Sequence, residues 1–401
     1  MKILIACQHF APETGAQALQ ATKVADALHE AGCQVQVLCG TQLLPVGYRR
    51  YPVMHVPAPV RAKPESLLQR MRWRAGHEIE SVHRRAAWVR EMAGRVVRLD
   101  STFNADVVMT QSTPFRSHLI GLALPRSLRQ RWVAYFSDLW PLSLTPYPYR
   151  TRLSMALKPL QMHALHSVLS AARGVLVSSG TTADRLVDEW PAHMRPECCV
   201  VPHIGTPAPV GPPDPALLER YGSRIVHVGK LTRERVFPQL IDAIRLYGAE
   251  GRGDGAISGF SFIGDVDPSF RLACVDLEQR GLVDFTDEVG PDVAQEISRA
   301  ARGLAVIEAR MEESPFLPSK FADYATLRKP ILAVSPAGPV RDYLALNGGG
   351  VAVSHDAKEI ADAIRLFGRS PLLDAGSETL ATHFSAQYVA GRYVEAFRRL
   401  I

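Results

Sequence analysis

Short apolar segments alternate with amphipathic helical segments along most of the chain, and this alternation is the strongest constraint on its fold. The first series consists of Lys2–Cys7, a helix over residues 18–31, Gln34–Cys39, residues 107–110, Trp132–Phe136 and residues 174–178. The second consists of Arg224–Val228, Gly259–Ile263, residues 282–285, Gly303–Ile307, residues 330–334 and Gly350–Val353. Parallel strands need crossover connections, which are usually helices. Each series therefore predicts an α/β, Rossmann-like domain with a parallel sheet wrapped by helices.

A polar, proline-rich passage at residues 205–213 separates the two series and is the predicted linker. We predict an N-terminal domain at residues 1–205, a second domain at 206–380, and a C-terminal helix at 381–401 that packs back toward the first domain. A chain of 401 residues is long enough for two domains. Ligands of such sheets bind at the carboxyl ends of the strands, so the cleft between two facing sheets is the expected site.

Composition narrows the class of protein. Hydrophobic residues make up 47% and charged residues 21%, as in soluble globular proteins. The net charge of +6 is weak evidence for nucleic acid, which we do not predict as a partner. Six cysteines without CxxC spacing indicate reduced core residues. No apolar run reaches the roughly 18 residues of a membrane span. We expect a cytoplasmic protein, at most peripheral on the inner face of a membrane.

Residues 317–334 predict a loop, a helix with Ser319 as its N-cap, and a buried strand. Lys320 then lies in the first turn, and Asp323 lies one turn further along the same face. A helix N-terminus with a lysine favours a phosphate, and a nearby carboxylate can bind hydroxyl groups. A sugar nucleotide carries both kinds of group. The alternative is an ordinary capped helix with a surface Lys/Asp pair.

Two loops of the first series follow predicted strands. Gly15 ends the loop after the first strand and would let a ligand approach the next helix; alternatively it is only a turn glycine. The loop lacks the GxGxxG spacing of dinucleotide-binding proteins. Asp138 follows the strand Trp132–Phe136 beside Trp140, which places a carboxylate at the carboxyl end of a strand. A helix cap or turn residue is the other interpretation of Asp138.

The first strand of the second series is followed by Gly229, Lys230 and Arg235. Gly229 allows a tight turn, and the two cations would then point into the cleft. The alternative is a solvated basic loop. If the sheets face each other, these two cations converge with Lys320, as stabilisation of a leaving diphosphate requires.

The chain resembles retaining GT-B glycosyltransferases of the family 4 type, in the branch that handles bacterial surface polysaccharides. The resemblance runs nearly end to end and depends on the order and spacing of several short segments. These are residues 9–15, 138–141 and 201–205, Gly229-Lys230 with Arg235, residues 262–265, Pro318-Ser319-Lys320 with Asp323-Tyr324, and residues 328–332. It implies a GT-B fold, with two facing Rossmann-like domains and a cleft between them.

The resemblance also implies roles for individual residues. Lys230 and Arg235 correspond to the basic pair on the donor diphosphate, and Gly15 to the loop that closes over it. Asp323 corresponds to the acid that binds the ribose hydroxyls. Donor-binding residues are thus Gly15, Gly229, Lys230, Arg235, Val289 near the base, Ser319, Lys320 and Asp323. Asp138 lies where the family places an acceptor-side or catalytic residue, so the candidate catalytic residues are Asp138, Lys230 and Arg235.

The sequence departs from the family pattern at two places. The family usually has glutamate at the position of Asp323, and an earlier glutamate at the position of Pro315. Glu313, just before it, is the candidate sugar-recognising acid. The usual asparagine of the interdomain segment is replaced by His203-Ile204.

The implied reaction moves a sugar from a nucleotide sugar to a hydroxyl group of a glycan or lipid-linked glycan, with retention of configuration. We predict no metal and no cofactor, because Lys230, Arg235 and Lys320 neutralise the diphosphate. Asp265-Val266-Asp267 matches the Asp-x-Asp pattern of metal-binding motifs, but we interpret it as a turn. Two alternatives stay open: an inactive nucleotide-sugar-binding protein of the same fold, and a nucleotide-sugar epimerase of the same architecture.

Residues 67–98 are rich in arginine, interleaved with Met71, Trp73, Trp88 and Met92. This composition fits an interfacial helix pair on an anionic membrane surface, which suits a lipid-linked acceptor. The alternative is a solvated basic helix face whose tryptophans belong to the core.

Overall fold

A computed structural model describes residues 1–41, 49–58, 67–190, 197–249, 257–369 and 376–401, without the side chains of residues 67–84, 368 and 369. The strands are β1 (Lys2–Cys7), β2 (Gln34–Cys39), β3 (Val53–His55), β4 (Val107–Ser112), β5 (Trp132–Phe136), β6 (Gly174–Val177), β7 (Glu197–Val200), β8 (Arg224–Val228), β9 (Gly259–Ile263), β10 (Val283–Thr286), β11 (Gly303–Ile307), β12 (Ile331–Val334) and β13 (Gly350–Val353).

Helices connect most of these strands. They are α1 (Ala16–Glu30), α2 (Leu67–Phe103), α3 (Arg116–Leu122), α4 (Arg126–Arg129), α5 (Arg152–Ala156), α6 (Lys158–Ala171), α7 (Gly180–Asp188), α8 (Pro215–Tyr221), α9 (Pro238–Ala249), α10 (Pro268–Ala273), α11 (Val275–Gln279), α12 (Pro291–Ala300), α13 (Ser319–Thr326), α14 (Pro339–Asn347), α15 (Ala357–Arg369), α16 (Glu378–His383) and α17 (Ala386–Leu400). Short 3₁₀ helices lie at Leu142–Leu144 and Arg233–Arg235.

Two parallel sheets organise the chain. The first has seven strands in the order β3-β2-β1-β4-β5-β6-β7, and the second has six in the order β10-β9-β8-β11-β12-β13. In each sheet the strand order reverses beside the first strand of the series, between β1 and β4 and between β8 and β11. Crevices form at such reversals because the neighbouring connections leave on opposite faces of the sheet.

Both faces of the first sheet are covered, which explains why its strands are almost continuously apolar. In β1, Ile3 and Ile5 belong to the cluster formed with α1 and α17, whereas Leu4 belongs to the cluster that includes Met92 and Val96 of α2. Alternate residues of one strand therefore support two separate layers of helix.

The C-terminal helix α17 packs against α1 and the first sheet. Tyr393 makes an edge contact with Tyr135, at 5.8 Å between ring centroids, and Arg173 Nε donates to the Leu400 carbonyl at 2.7 Å. Just before α17, the ring of Phe384 makes an edge contact with the ring of Phe321 in α13, at 5.5 Å between centroids. The chain thus leaves the second domain after Phe384 and ends on the first.

The structure differs from the sequence-based expectations at two points: the first sheet has two further strands, and residues 67–98 lie in one continuous helix, α2, rather than in a helix pair. Strands β3 and β7 were not predicted, because β3 has three residues and β7 lies directly before the linker. Trp88 and Met92 are buried, and Trp88 Nε1 donates to the Val56 carbonyl at 2.8 Å, so Trp88 belongs to the core, as the alternative interpretation of residues 67–98 predicted. The side chains of residues 67–84, including Met71 and Trp73, lie outside the described part. No described helix is long and apolar enough to cross a membrane.

Candidate functional site

Two glycines open the crevice beside β8 in the second sheet. Gly229 and Gly264 follow β8 and β9, and both have positive φ angles, 104° and 125°. A Cβ added to Gly264 would lie 2.9 Å from the Gly229 carbonyl oxygen, and one added to Gly229 would lie 3.3 Å from Lys320 Nζ. Both the backbone conformation and the available space therefore favour glycine, and the backbone approaches the lysine closely.

Lys320 lies at the second position of α13, whose N-terminus has no side-chain cap. Pro318 is the N-cap and Ser319 is the first helical residue, so the prediction that Ser319 caps the helix is wrong by one position. The first backbone N–H groups of α13 have no partners within the helix, and Lys320 adds its ammonium group beside them. This end of the helix can attract an anion.

A buried histidine holds the Lys320 ammonium group. His227 Nδ1 lies 3.0 Å from the Ala305 carbonyl oxygen, and its Nε2 lies 3.2 Å from Lys320 Nζ. A carbonyl only accepts, so the proton belongs on Nδ1 and Nε2 accepts from Lys320. Burial, together with the charge of Lys320, lowers the pKa of His227 well below its usual value, which keeps the imidazole neutral.

The surroundings of Lys320 disfavour the charged form of its side chain. Burial and the nearby Arg235 lower the pKa of Lys320 to about 7, although Glu308 acts in the opposite direction. Even a half-buried ammonium group is costly when no carboxylate lies close to it. An anion bound beside Lys320 would remove this cost, because it would stabilise the charged form.

Arg235 is held by two residues that sequence analysis missed. Its Nε lies 3.3 Å from Glu308 Oε1 and 3.0 Å from the Tyr149 hydroxyl, which donates to the same Glu308 oxygen at 2.5 Å. Glu308 follows β11 and is only 1% exposed. Burial acts to lower the pKa of Arg235, but Glu308 and Tyr149 outweigh it and the net shift is upward. The second carboxylate oxygen of Glu308, Oε2, is buried and has no hydrogen-bond partner among the described residues.

Lys230 lies outside this buried group. Its side chain is 66% exposed, and its Nζ lies 3.5 Å from Asp265 Oδ2. Asp267 caps α10 by accepting from the Ser269 N–H. Asp265 thus forms an ion pair, Asp267 caps a helix, and Val266 between them forms a β-bridge with Leu231. Val289 lies in the loop after β10, half-buried against the core of the second domain.

Asp138 lies at the carboxyl edge of the first sheet, after β5. Its Oδ2 accepts from Gln17 Nε2 at 2.9 Å and from the Thr113 hydroxyl at 3.1 Å. Gln17 belongs to the first turn of α1, whose N-cap is Gly15. A Cβ added to Gly15 would meet nothing within 4 Å, so space is open at this helix end. The structure therefore places Gly15 and Asp138 together, on the first-domain side of the interface.

Asp323 connects the two domains. Its Oδ1 accepts from Lys23 Nζ at 2.6 Å, from the Thr206 N–H at 2.7 Å and from the Thr206 hydroxyl at 2.8 Å. Lys23 belongs to α1 of the first domain, and Thr206 to the linker. One oxygen of the predicted ribose-binding acid is thus already occupied by the protein.

His203, in the interdomain segment, lies within the electrostatic influence of both Asp138 and Asp323. It is buried, and its Nδ1 has no partner among the described residues. Burial lowers the pKa of His203, although the two carboxylates oppose the shift. The histidine is therefore a neutral group at the joint between the domains.

Further contacts connect the domains next to Glu313. The hydroxyl groups of Ser179 and Thr182 donate to the Pro315 carbonyl, at 2.7 and 2.8 Å. Arg185 Nη2 lies 3.1 Å from Glu313 Oε2. Glu313, the predicted sugar-recognising acid, is thus paired with an arginine of the first domain.

Comparisons with known proteins support the overall architecture. No protein-family model matches the sequence, and comparison with curated protein sequences finds no match. The structure resembles Anabaena Alr3699/HepE, solved in complex with UDP and glucose, with a TM-score of 0.66, 14% identity and 99% of each chain covered. It also resembles a glycosyltransferase from Rickettsia africae, with a TM-score of 0.64, 13% identity, and 100% of this chain and 98% of that chain covered.

Sucrose-phosphate synthase from Thermosynechococcus elongatus is similar over 100% of this chain and 98% of its own, with a TM-score of 0.62 and 15% identity. Identities this low establish a common fold and no more. The predicted GT-B fold is confirmed, since two parallel sheets of seven and six strands with flanking helices match these structures along their length.

Proposed function

We propose that this GT-B protein is a glycosyltransferase that moves a sugar from a nucleotide-sugar donor to a hydroxyl group, with retention of configuration. One observation carries the proposal: Lys320 and Arg235 lie near each other at the β8/β11 crevice, beside an uncapped helix N-terminus and Gly229. A nucleoside diphosphate would supply the negatively charged partner that Lys320 lacks, whereas Arg235 is already paired with Glu308. The structural relatives solved with UDP support the same class of ligand.

In the proposed reaction, the acceptor oxygen forms a bond to the anomeric carbon while the bond from that carbon to the diphosphate oxygen breaks. The electron pair leaves with the diphosphate, which also takes the acceptor's proton. Attack on the face from which the diphosphate leaves retains the configuration. Lys320 and Arg235 stabilise the charge that develops on the leaving group, so they act more strongly in the transition state than in the ground state.

In the proposed site, the remaining candidate residues lie around Lys320 and Arg235. Asp138 and Gly15 supply the first-domain side, where an acceptor hydroxyl group would enter. Lys230 is placed at the rim and contributes a screened charge. The proposed reaction uses no metal ion or cofactor, because the two cations and the end of α13 provide the neutralisation. We propose a glycan or lipid-linked glycan as acceptor.

The proposal is tested by incubating the protein with UDP-, GDP-, ADP- and dTDP-sugars, with and without an extract containing lipid-linked glycans. A glycosyltransferase should release one nucleoside diphosphate, faster when the acceptor is present, and attach the sugar in the donor's anomeric configuration. Epimerised donor without acceptor would instead identify an epimerase. No release from any donor, despite nucleotide binding, would identify a binding protein.

One observation favours the binding-protein alternative. Asp323 accepts from Lys23 and Thr206 through one oxygen and is thereby engaged in joining the domains. A ribose would have to use the other oxygen or displace Lys23. Tight binding of a nucleotide sugar without turnover, with an unchanged donor recovered, would support this alternative over transfer.

A further inference from the structure

A short helix of the first domain is built with its apolar side outward. In α5, Ser154 is the buried residue, while Leu153 and Met155 are exposed. The Ser154 hydroxyl and the Thr151 side chain form a capping box, so the Ser154 hydroxyl already has its hydrogen-bond partner at the N-terminus of α5. Burial of a serine instead of the neighbouring leucine is the reverse of the usual arrangement.

The same outward arrangement continues on both sides of α5. The 3₁₀ helix Leu142–Leu144, α5 and α6 pack in succession. Together they expose a set of large apolar side chains that we call the leucine face: Leu142, Tyr147, Leu153, Met155, Leu157 and Leu160. Leu153 and Leu160 are 67% and 69% exposed. Single exposed leucines are ordinary on a protein surface, but six large apolar side chains exposed within residues 142–160 are the pattern expected of an interaction surface.

Positive charge predominates in the sequence around the leucine face. No Asp or Glu occurs between Asp138 and Asp184, whereas Arg150, Arg152 and Lys158 lie within the unit. Arg150 and Arg152 are exposed and form no ion pair with any described residue; Lys158 lies 3.8 Å from Glu189. Exposed leucines beside two arginines that pair with no described residue complement a surface that is apolar inside and anionic outside.

We propose that the leucine face docks on a bilayer containing anionic phospholipids. The apolar side chains enter the boundary between head groups and acyl chains, and Arg150 and Arg152 meet the phosphates. Tyr149, in the same loop as Tyr147, contacts Glu308 and Arg235, so the docked face lies next to the interdomain cleft. The benefit for a lipid-linked acceptor depends on the proposed function, but docking itself does not.

Co-sedimentation of the full chain with phosphatidylcholine vesicles, with and without phosphatidylglycerol, tests the proposal in the absence of nucleotide. Wild-type protein should bind the anionic vesicles at low salt. Leu153→Gln/Leu160→Gln should lower the vesicle partition coefficient at least about tenfold, because two leucines lose their transfer into an apolar phase. Arg150→Gln/Arg152→Gln should remove most of the preference for phosphatidylglycerol.

Leu272→Gln/Leu346→Gln is the matched control, since these leucines of the second domain are 76% and 83% exposed. It should bind vesicles like wild type. Nucleoside diphosphate affinity, measured separately, should be unchanged in all three variants, so failure of docking and failure of the proposed function are distinguishable. Wild-type protein that ignores anionic vesicles would overturn the proposal. So would unchanged binding by Leu153→Gln/Leu160→Gln, or a wild-type dimer that this variant dissociates and that does not bind lipid.

Discussion

Lys320 carries its charge at a place where the protein alone makes that charge unfavourable. Burial and Arg235 lower its pKa, and the group that accepts its hydrogen bond is the neutral His227. A residue of this kind costs stability in the free protein and gains a partner when an anion binds. Lys320 is therefore the residue whose behaviour best separates a binding site from an ordinary helix surface.

Lys320→Met should stabilise the free protein, and more so at low pH. The pKa of Lys320 is about 7 in the folded state and ordinary in the unfolded state, so between these values the unfolded chain binds more protons. The free energy of unfolding of the wild type therefore rises with pH above about 7. Below pH 7 Lys320 is charged in both states, and its destabilising effect is at its maximum. The Tm advantage of Lys320→Met over wild type should shrink from pH 6.5 to pH 9. A difference that is independent of pH would contradict this.

Nucleoside diphosphate affinity should fall as pH rises above 7. A bound diphosphate raises the pKa of Lys320, so binding above pH 7 requires the uptake of a proton, and the association constant should fall up to about tenfold per pH unit. Calorimetric titration at pH 6.5, 7.5 and 8.5 measures this slope. Lys320→Arg, which stays charged, should bind with no such slope. Wild-type affinity that is flat or rising over this range would exclude Lys320 from the site.

Arg235→Ala should impair both stability and nucleotide binding, and a second substitution should separate the two effects. Loss of Arg235 leaves the buried Glu308 without its counter-ion, which costs about 3 kcal/mol in buried pairs. Arg235→Ala/Glu308→Gln should recover most of the stability, measured by urea unfolding, but bind nucleoside diphosphate at least about tenfold more weakly than wild type. Lys230→Ala, at an exposed position, is the matched control and should have a smaller effect. Wild-type affinity in the double variant would rule out a donor role for Arg235.

Helix α13 links the candidate donor site to the joint between the domains. Its first turn presents Lys320 to the crevice, and Asp323, one turn later, binds Lys23 of α1 and Thr206 of the linker. A shift of this one helix would change both contacts together. If a donor binds at Lys320 as proposed, α13 connects donor occupancy with the position of the domains.

Asp323→Asn and Lys23→Met should affect the molecule in similar ways if Asp323 acts through the domain joint. Each removes the ion pair between α1 and α13, so each should increase the radius of gyration of the free protein measured by X-ray scattering. If Asp323 instead binds ribose, Asp323→Asn should weaken nucleotide binding while Lys23→Met does not. Asp323→Glu should keep the ion pair and nucleotide affinity. Unchanged scattering and unchanged affinity in all variants would leave Asp323 with neither role.

The elements were predictable where a local pattern determines them. Apolar runs such as Trp132–Phe136 predicted the strands, because strands buried on both faces must be continuously apolar. Arg235 and Lys320 were predictable as strand-end and helix-end cations. Glu308 and Tyr149 were missed because their environment comes from residues distant in sequence: Tyr149 reaches Glu308 from the other domain. No local pattern reveals such a contact.

At the scale of the whole molecule, the two domains are in direct contact along the cleft. Tyr149 reaches Glu308 at one place, Ser179 and Thr182 hold the Pro315 carbonyl at another, and α17 returns to the first domain. A donor that binds between the sheets would have to separate Tyr149 from Arg235 or fit beside them. We therefore expect domain motion to accompany donor binding.

The proposed function requires that the crevice between β8 and β11 hold the diphosphate of a nucleotide sugar. The most direct measurement is a crystal structure of the protein with whichever of UDP, GDP, ADP and dTDP raises its Tm most. We expect a diphosphate within hydrogen-bonding distance of Lys320 Nζ and the Arg235 guanidinium, with its terminal phosphate facing the Asp138 side of the cleft. A nucleotide bound elsewhere, with Lys320 still on His227 and Arg235 still on Tyr149, would contradict it.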